Sequence, residues 1–419
     1  MLTTFDLIAL LLTLTAAFGW INHRYIRLPH TIGLLVMGLV ASLLLIGIEL
    51  AITRTQIYQD IVTAIRQIDF YDAVMNGMLA FLLFAGALHV DLGVLRSRAR
   101  VVGLMATVGV ALSAAIVGTA AWLIAGWLGL ALPFAWALVF GALISPTDPV
   151  AVLSTLKAVK VPSALETDMT GESLFNDGVG VVLFTILLAL AVGTGAEVGP
   201  LAVGKLLLLD AVGGGVLGLV TGFVAYRAMR AIDNYPIEVL ISLALVAGTY
   251  ALATKLHTSG PIAVVVAGLL IGNHGARNAM SDQTRDYLFS FWTLLDEILN
   301  SLLFLLIGLE VLILRFDLSL GGFALAAIPI AFVARLAAVA TPVTVLRLFG
   351  ERFTRGTTAV LTWGGLRGGI SVALALSLPE SESKPVILAA TYAVVLFSII
   401  VQGLTLAMVV RRTVTAEQS

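Results

Sequence analysis

Residues 142–153 run Ala142-Leu143-Ile144-Ser145-Pro146-Thr147-Asp148-Pro149-Val150-Ala151-Val152-Leu153, inside a longer apolar stretch. Each of the two prolines removes an amide donor and clashes with the preceding turn of a helix. The spacing predicts a helix that crosses an apolar medium and unwinds near its middle. A proline kink between two helices would need no acid, yet Asp148 sits between the prolines. In an unwound segment, freed carbonyls and the Thr147 hydroxyl can face a cation, and Asp148 can offset a half-helix end.

The apolar character extends outward through the chain. Of 419 residues, 59% are hydrophobic and 12% charged, where a soluble domain is about a quarter charged. Mean hydropathy is +1.05. Too few polar residues exist to cover a water-facing surface, which excludes a soluble enzyme, a disordered chain and a fibrous repeat. An all-α polytopic membrane protein remains, with lipid as its surroundings. Continuous apolar runs also exclude a barrel of alternating strands. The net charge of −1 argues against a nucleic acid partner. With no cysteine, disulfides, thiolate metal sites and cysteine nucleophiles are excluded. The histidines (His23, His30, His89, His257, His274) show no metal-ligand spacing, and no cofactor is expected.

A bilayer core of about 30 Å takes roughly 20 apolar residues as helix. Thirteen stretches qualify: 5–22, 31–50, 72–90, 101–127, 132–156, 168–195, 205–231, 236–255, 260–276, 285–311, 322–346, 355–378 and 386–410. The first lacks a basic flank and a small-residue cleavage site, so it reads as a retained helix and not a signal peptide. With the C-terminus in the cytoplasm, sixteen Lys and Arg fall in cytoplasmic segments and six in outer ones. The positive-inside rule favours that orientation. Residues 1–412 form the membrane domain and 413–419 a short cytoplasmic tail. No phosphate-binding loop appears, so an ion gradient and not ATP is the expected energy source.

A charge at mid-helix costs about 2.5–3.5 kcal/mol on insertion scales, so intramembrane polar residues carry the functional argument. Span six opens Gly171-Glu172-Ser173-Leu174-Phe175-Asn176-Asp177-Gly178. Residues three and four apart share a helix face, which pairs Ser173 with Asp177 and Glu172 with Asn176. All four supply oxygen donors suited to a hard cation. A carboxylate in a low-dielectric cavity can hold a proton or a small cation, but not both well. Helix capping accounts for Glu172 but poorly for Asp177, because apolar sequence follows it. Span twelve contains Gly364-Gly365-Leu366-Arg367-Gly368-Gly369, whose glycines disfavour unbroken helix. Arg367 can meet the negative carbonyl end of a broken helix.

The interrupted spans, five and twelve, are seven apart. Spans one to six and eight to thirteen then form two six-helix repeats, inverted because the offset is odd, with the broken helices crossing at an ion site. Arg335 in span eleven needs a partner, since an unpaired buried charge is strongly unfavourable. Glu172 is the expected partner, with Asp148 second.

The three motifs, in this order and spacing, resemble the NhaP/NHE-type sodium/proton exchangers of the monovalent cation:proton antiporter superfamily. The resemblance covers nearly the whole membrane domain. It implies thirteen helices, a homodimer in the cell (inner) membrane, and elevator-like alternating access. Spans 1–3 and 8–10 would form the dimer or scaffold domain, and spans 4–6 and 11–13 the ion-binding core. Asp177, preceded by Asn176, falls on the family's essential exchange site. Cation ligation falls on Asp177, Ser173, Thr147 and Glu172, with Asp148 nearby and Na⁺ at Asp177, Ser173 and Thr147. Arg335 and Arg367 match arginines that the family keeps near the site. An Asn-Asp pair implies electroneutral exchange of one cation for one proton. One departure is Ala85, where relatives often carry glutamate, so pH response and ion preference are not carried over.

The expected function is exchange of Na⁺ (or Li⁺) for H⁺, both competing for Asp177, by a transporter and not an enzyme. A K⁺/H⁺ exchanger on the same scaffold is the nearest alternative, and a cation channel the next.

Overall fold

The computed structural model describes residues 3–51, 63, 65, 68–148, 152, 159, 161–193, 200–312 and 318–414. Each of the thirteen apolar stretches contains helix among these residues. Span one is Thr4–Ile21, extended by a π-helical turn, Asn22–Ile26. Span two is His30–Ala51, and span three runs through Phe70–Asp72, Ala73–Met78 and Leu79–Leu88. Span four runs from Ala99 through Val110–Trp127. The described helix of span five is Phe134–Ile144; Pro149 and most of the stretch after it lie outside the described residues. Span six is Ser163–Val192, span seven Pro200–Arg230, span eight Tyr235–Lys255 and span nine Gly260–Leu270. Span ten is Asp282–Glu310 and span eleven Gly321–Leu348. Span twelve is split into Thr357–Trp363 and Gly369–Leu376. Span thirteen is Ser383–Phe397 continued by Ser398–Gln402 and Gly403–Thr413.

Ten of these helices are long and apolar enough to cross a membrane. The other three are spans five, nine and twelve. Two are broken, as their prolines and glycines predict. Nine continues from Gly260–Leu270 through a π-helical turn, Ile271–Gly275, into Ala276–Asn278, and Asn273, His274 and Arg277 there make it less apolar.

The packing repeats with an offset of seven. Span two packs along span ten, and span nine packs along span three. Each of these pairs becomes the other when every span is exchanged for its counterpart seven away. Spans four and eleven, and five and twelve, are counterparts that pack on each other directly. Close approach is what makes the first two pairs: a Cβ on Gly308 of span ten would strike the Leu35 carbonyl at 2.6 Å. In span nine, a Cβ on Gly272 would strike the Leu88 carbonyl. Lipid tails are as apolar as leucine, so such backbone approach, and not hydrophobicity, drives helices together. An ion pair ties spans four and six. Arg98 donates from Nε and Nη2 to the Asp168 carboxylate at 2.7 and 2.5 Å.

Candidate functional site

Spans five and twelve cross at their breaks. Span five leaves the helix at Ser145, and span twelve is unwound from Gly364 to Gly368. The Asp148 amide donates to the Leu366 carbonyl at 2.9 Å, which joins the two unwound segments. Arg367 Nη1 donates to the Ser145 and Pro146 carbonyls at 2.6 and 2.9 Å. Those carbonyls stand at the negative C-terminal end of the first half of span five, so the buried guanidinium neutralises that end. The carbonyls freed by the break thus face Arg367.

Asp148 does the complementary work. Its carboxylate lies against Gly368, where an added Cβ would collide with it. Gly368 caps the positive N-terminal end of the second half of span twelve. The crossing therefore exchanges charges between the two broken helices. Sequence reasoning passed over one support. Ser398, which opens the π-helical turn of span thirteen, accepts from the Arg367 amide at 3.1 Å. A serine in an apolar helix gives no signal of its own.

Span six grips the unwound part of span five. Asn176 Nδ2 donates to Thr147 Oγ1 at 2.8 Å, and the Thr147 amide donates to Asn176 Oδ1 at 3.5 Å. Thr147 Oγ1 also lies 3.1 Å from Ser173 Oγ. Asn176 turns both ends of its amide to Thr147, so it positions that residue. Asp177, one residue on, is 7% exposed and carries no hydrogen bond or ion pair among the described residues. It lines a cavity of about 450 Å³ together with Ser173, Thr147 and Asp148.

Glu172 is placed elsewhere. Both of its oxygens are taken by Arg335, Oε1 by Nη1 and Oε2 by Nη2, the latter at 2.9 Å. The Arg335 guanidinium also donates to the Leu361 carbonyl from Nε and Nη2, at 3.1 and 2.9 Å. Glu172 is therefore the partner that the sequence expects for Arg335, and its carboxylate does not line the cavity. The structure brings Asp177, Ser173, Thr147 and Asp148 to one wall. Glu172, Arg335 and Arg367 lie behind that wall as its supports.

The opposite wall belongs to spans three and ten. Asp296, Glu297 and Asn300 of span ten line it, and His30 at the start of span two stands at its rim. None of these was singled out from sequence. The signal available was the i, i+4 spacing of Asp296 and Asn300, polar groups repeated on one face of an apolar helix.

Comparison with known proteins agrees with this arrangement. The chain matches the family model described as sodium/hydrogen exchanger, transmembrane, over residues 10–412. It is 48% identical over 419 residues to the Na⁺/H⁺ antiporter NhaP of Pseudomonas aeruginosa, covering 97% of this chain and 96% of that protein. It is 39% identical to the Na⁺/H⁺ antiporter NhaH of Halobacillus dabanensis, over 88% of this chain and 91% of that one. In fold it resembles the sodium proton antiporter MjNhaP1 from Methanocaldococcus jannaschii, with a TM-score of 0.73, 21% identity and 97% of each chain covered. A multi-pass membrane protein with crossed, interrupted helices, this chain belongs to the transmembrane sodium/hydrogen exchanger family.

Proposed function

We propose that this protein is a secondary active antiporter that exchanges Na⁺ (or Li⁺) for H⁺, with cation and proton competing for Asp177. The observation that carries this is a buried carboxylate without a partner among the described residues, opening on a cavity beside two hydroxyls, Ser173 and Thr147. One carboxylate with neutral oxygens suits an exchangeable monovalent ion. The relatives named as Na⁺/H⁺ antiporters support sodium over potassium.

Mechanism follows from charge. With Na⁺ or a proton bound, Asp177 is neutralised and can cross the barrier. Bare, it would carry a charge through hydrocarbon, which is strongly unfavourable. The empty carboxylate is thereby held on one side, and exchange is obligatory and electroneutral, one for one. Asn176, Arg367 and Asp148 keep the unwound segments in register, and the Glu172–Arg335 pair braces span six from behind. Spans 4–6 and 11–13 serve as the moving core, and spans 1–3 and 8–10 as the scaffold through which two copies dimerise. The protein sits in the cell membrane with its C-terminus in the cytoplasm, needs no cofactor and catalyses no covalent chemistry.

The test is proton efflux from acid-loaded proteoliposomes on addition of Na⁺, Li⁺ or K⁺, with and without a clamped membrane potential. Sodium-driven efflux that is insensitive to potential and absent in Asp177→Asn is expected. Normal exchange by folded Asp177→Asn protein overturns the assignment.

A further inference from the structure

The wall facing Asp177 holds a polar group that the exchange site does not use. Asn300 in span ten lines the cavity and is 1% exposed. Its Nδ2 donates to the Asp296 carbonyl one turn earlier, at 2.9 Å. A backbone carbonyl can only accept, so the orientation of the amide is fixed, with its oxygen as the group left to offer. That oxygen, Oδ1, has no donor among the described residues. A buried oxygen without a donor is unfavourable unless something positive meets it.

Asp296 supplies the charge that such a site needs. It lies four residues before Asn300, on the same helix face, and lines the same cavity while half-buried. Glu297, beside it, is exposed toward the cavity and adds to the negative field. Neither Lys nor Arg is among the described residues that line this cavity. The two walls differ in kind. Asp177, Ser173 and Thr147 belong to spans five and six, whereas Asp296 and Asn300 belong to span ten, which packs along span two.

We propose that Asp296 and Asn300 form a second monovalent-cation site, opposite Asp177, at which the ion sheds part of its hydration before it reaches the exchange carboxylate. A carboxylate and one amide oxygen make a weak site, as a waypoint must be if the ion is to leave it. The role as waypoint rests on the antiport assignment above, whereas binding at this wall does not.

Equilibrium binding of radiolabelled Tl⁺ to the purified full-length protein, displaced by Na⁺, tests the site without transport. Asp177→Asn protein is expected to keep one Na⁺-displaceable Tl⁺ per chain. Adding Asn300→Leu, which keeps the bulk and removes the oxygen, should abolish it. Asn300→Asp in the same background should instead tighten it by about tenfold. No Na⁺-displaceable Tl⁺ on Asp177→Asn, or binding that survives Asn300→Leu unchanged, overturns the proposal. Where Asn300→Leu does not fold, Asp296→Asn takes its place. Loss of the remaining Tl⁺ supports the site, and unchanged binding refutes it. Proteoliposome exchange by the wild type separates the two claims. Binding without cation-driven proton movement rejects antiport and keeps the site. Exchange with no Tl⁺ on Asp177→Asn rejects the site alone.

Discussion

Arg335 of span eleven engages both carboxylate oxygens of Glu172 in span six, and the same guanidinium holds the Leu361 carbonyl of span twelve. One side chain thus fastens three helices behind the exchange site. Both charges are buried, at 2% and 5% exposure, so removing either leaves the other uncompensated. Glu172→Gln and Arg335→Met should each cost about 3–5 kcal/mol. Thermal melting in detergent measures this. The double substitution should recover part of the loss, because no lone charge then remains. Unchanged melting of both single variants would show that the pair does not brace the fold.

Arg367 makes a separable prediction. Arg367→Gln withdraws the cation from the Ser145 and Pro146 carbonyls, and an orphaned buried acceptor costs about 1–3 kcal/mol. It also frees the segment that carries Thr147, so exchange should fall together with melting temperature. Arg367→Lys keeps the charge but loses the planar fork. It should melt between wild type and Arg367→Gln. Lys melting as low as Gln would mean that geometry, and not charge, holds the crossing.

Asn176 tests positioning against charge. Its amide donates to Thr147 Oγ1 at 2.8 Å. Asn176→Ala removes the donor, and Asn176→Asp replaces it with an acceptor, to which the Thr147 hydroxyl must give its proton instead of receiving one. The half-saturating Na⁺ concentration, measured in proteoliposomes, should therefore rise from Asn to Ala, and rise again to Asp. If a second carboxylate beside Asp177 instead lowered it, attraction of the ion by charge would outweigh the placement of Thr147.

The legible part of this site is the part where sequence breaks a rule. Asp148 between prolines, Asp177 within apolar helix and Arg367 among glycines each violate the chemistry of an unbroken span, so each announces a function or a partner. The span count was legible for the same reason, since length and apolarity alone delimit helices in a bilayer. The Glu172–Arg335 pair followed from order: both are buried charges, and repeats that meet through spans four and eleven bring them together. Asn300 and Ser398 were hidden because a neutral polar residue in an apolar helix breaks no rule. Only the packing of span ten across a cavity turns the Asn300 oxygen into a feature. The π-helical turns in spans nine and thirteen were hidden too, because one inserted residue barely alters the apolar pattern.

The pH dependence of exchange follows from sharing one carboxylate. While Asp177 is mostly protonated, Na⁺ must displace a proton to bind, so raising the pH removes a competitor. The half-saturating Na⁺ concentration should then fall by about tenfold per pH unit, and level off once Asp177 is mostly ionised. Maximal velocity at saturating Na⁺ need not follow the same curve. The slope of log half-saturation against pH, measured at fixed internal pH with the potential clamped, is diagnostic. A slope near minus one means that one proton leaves for each cation bound, which is what electroneutral exchange through Asp177 requires. A slope near minus two would mean that a second carboxylate of the cavity, Asp148 or Asp296, must also ionise before the ion binds. A line that stays flat down to the lowest pH at which the protein remains folded would mean that proton and cation occupy separate sites, and the competition mechanism would fail whatever the stoichiometry.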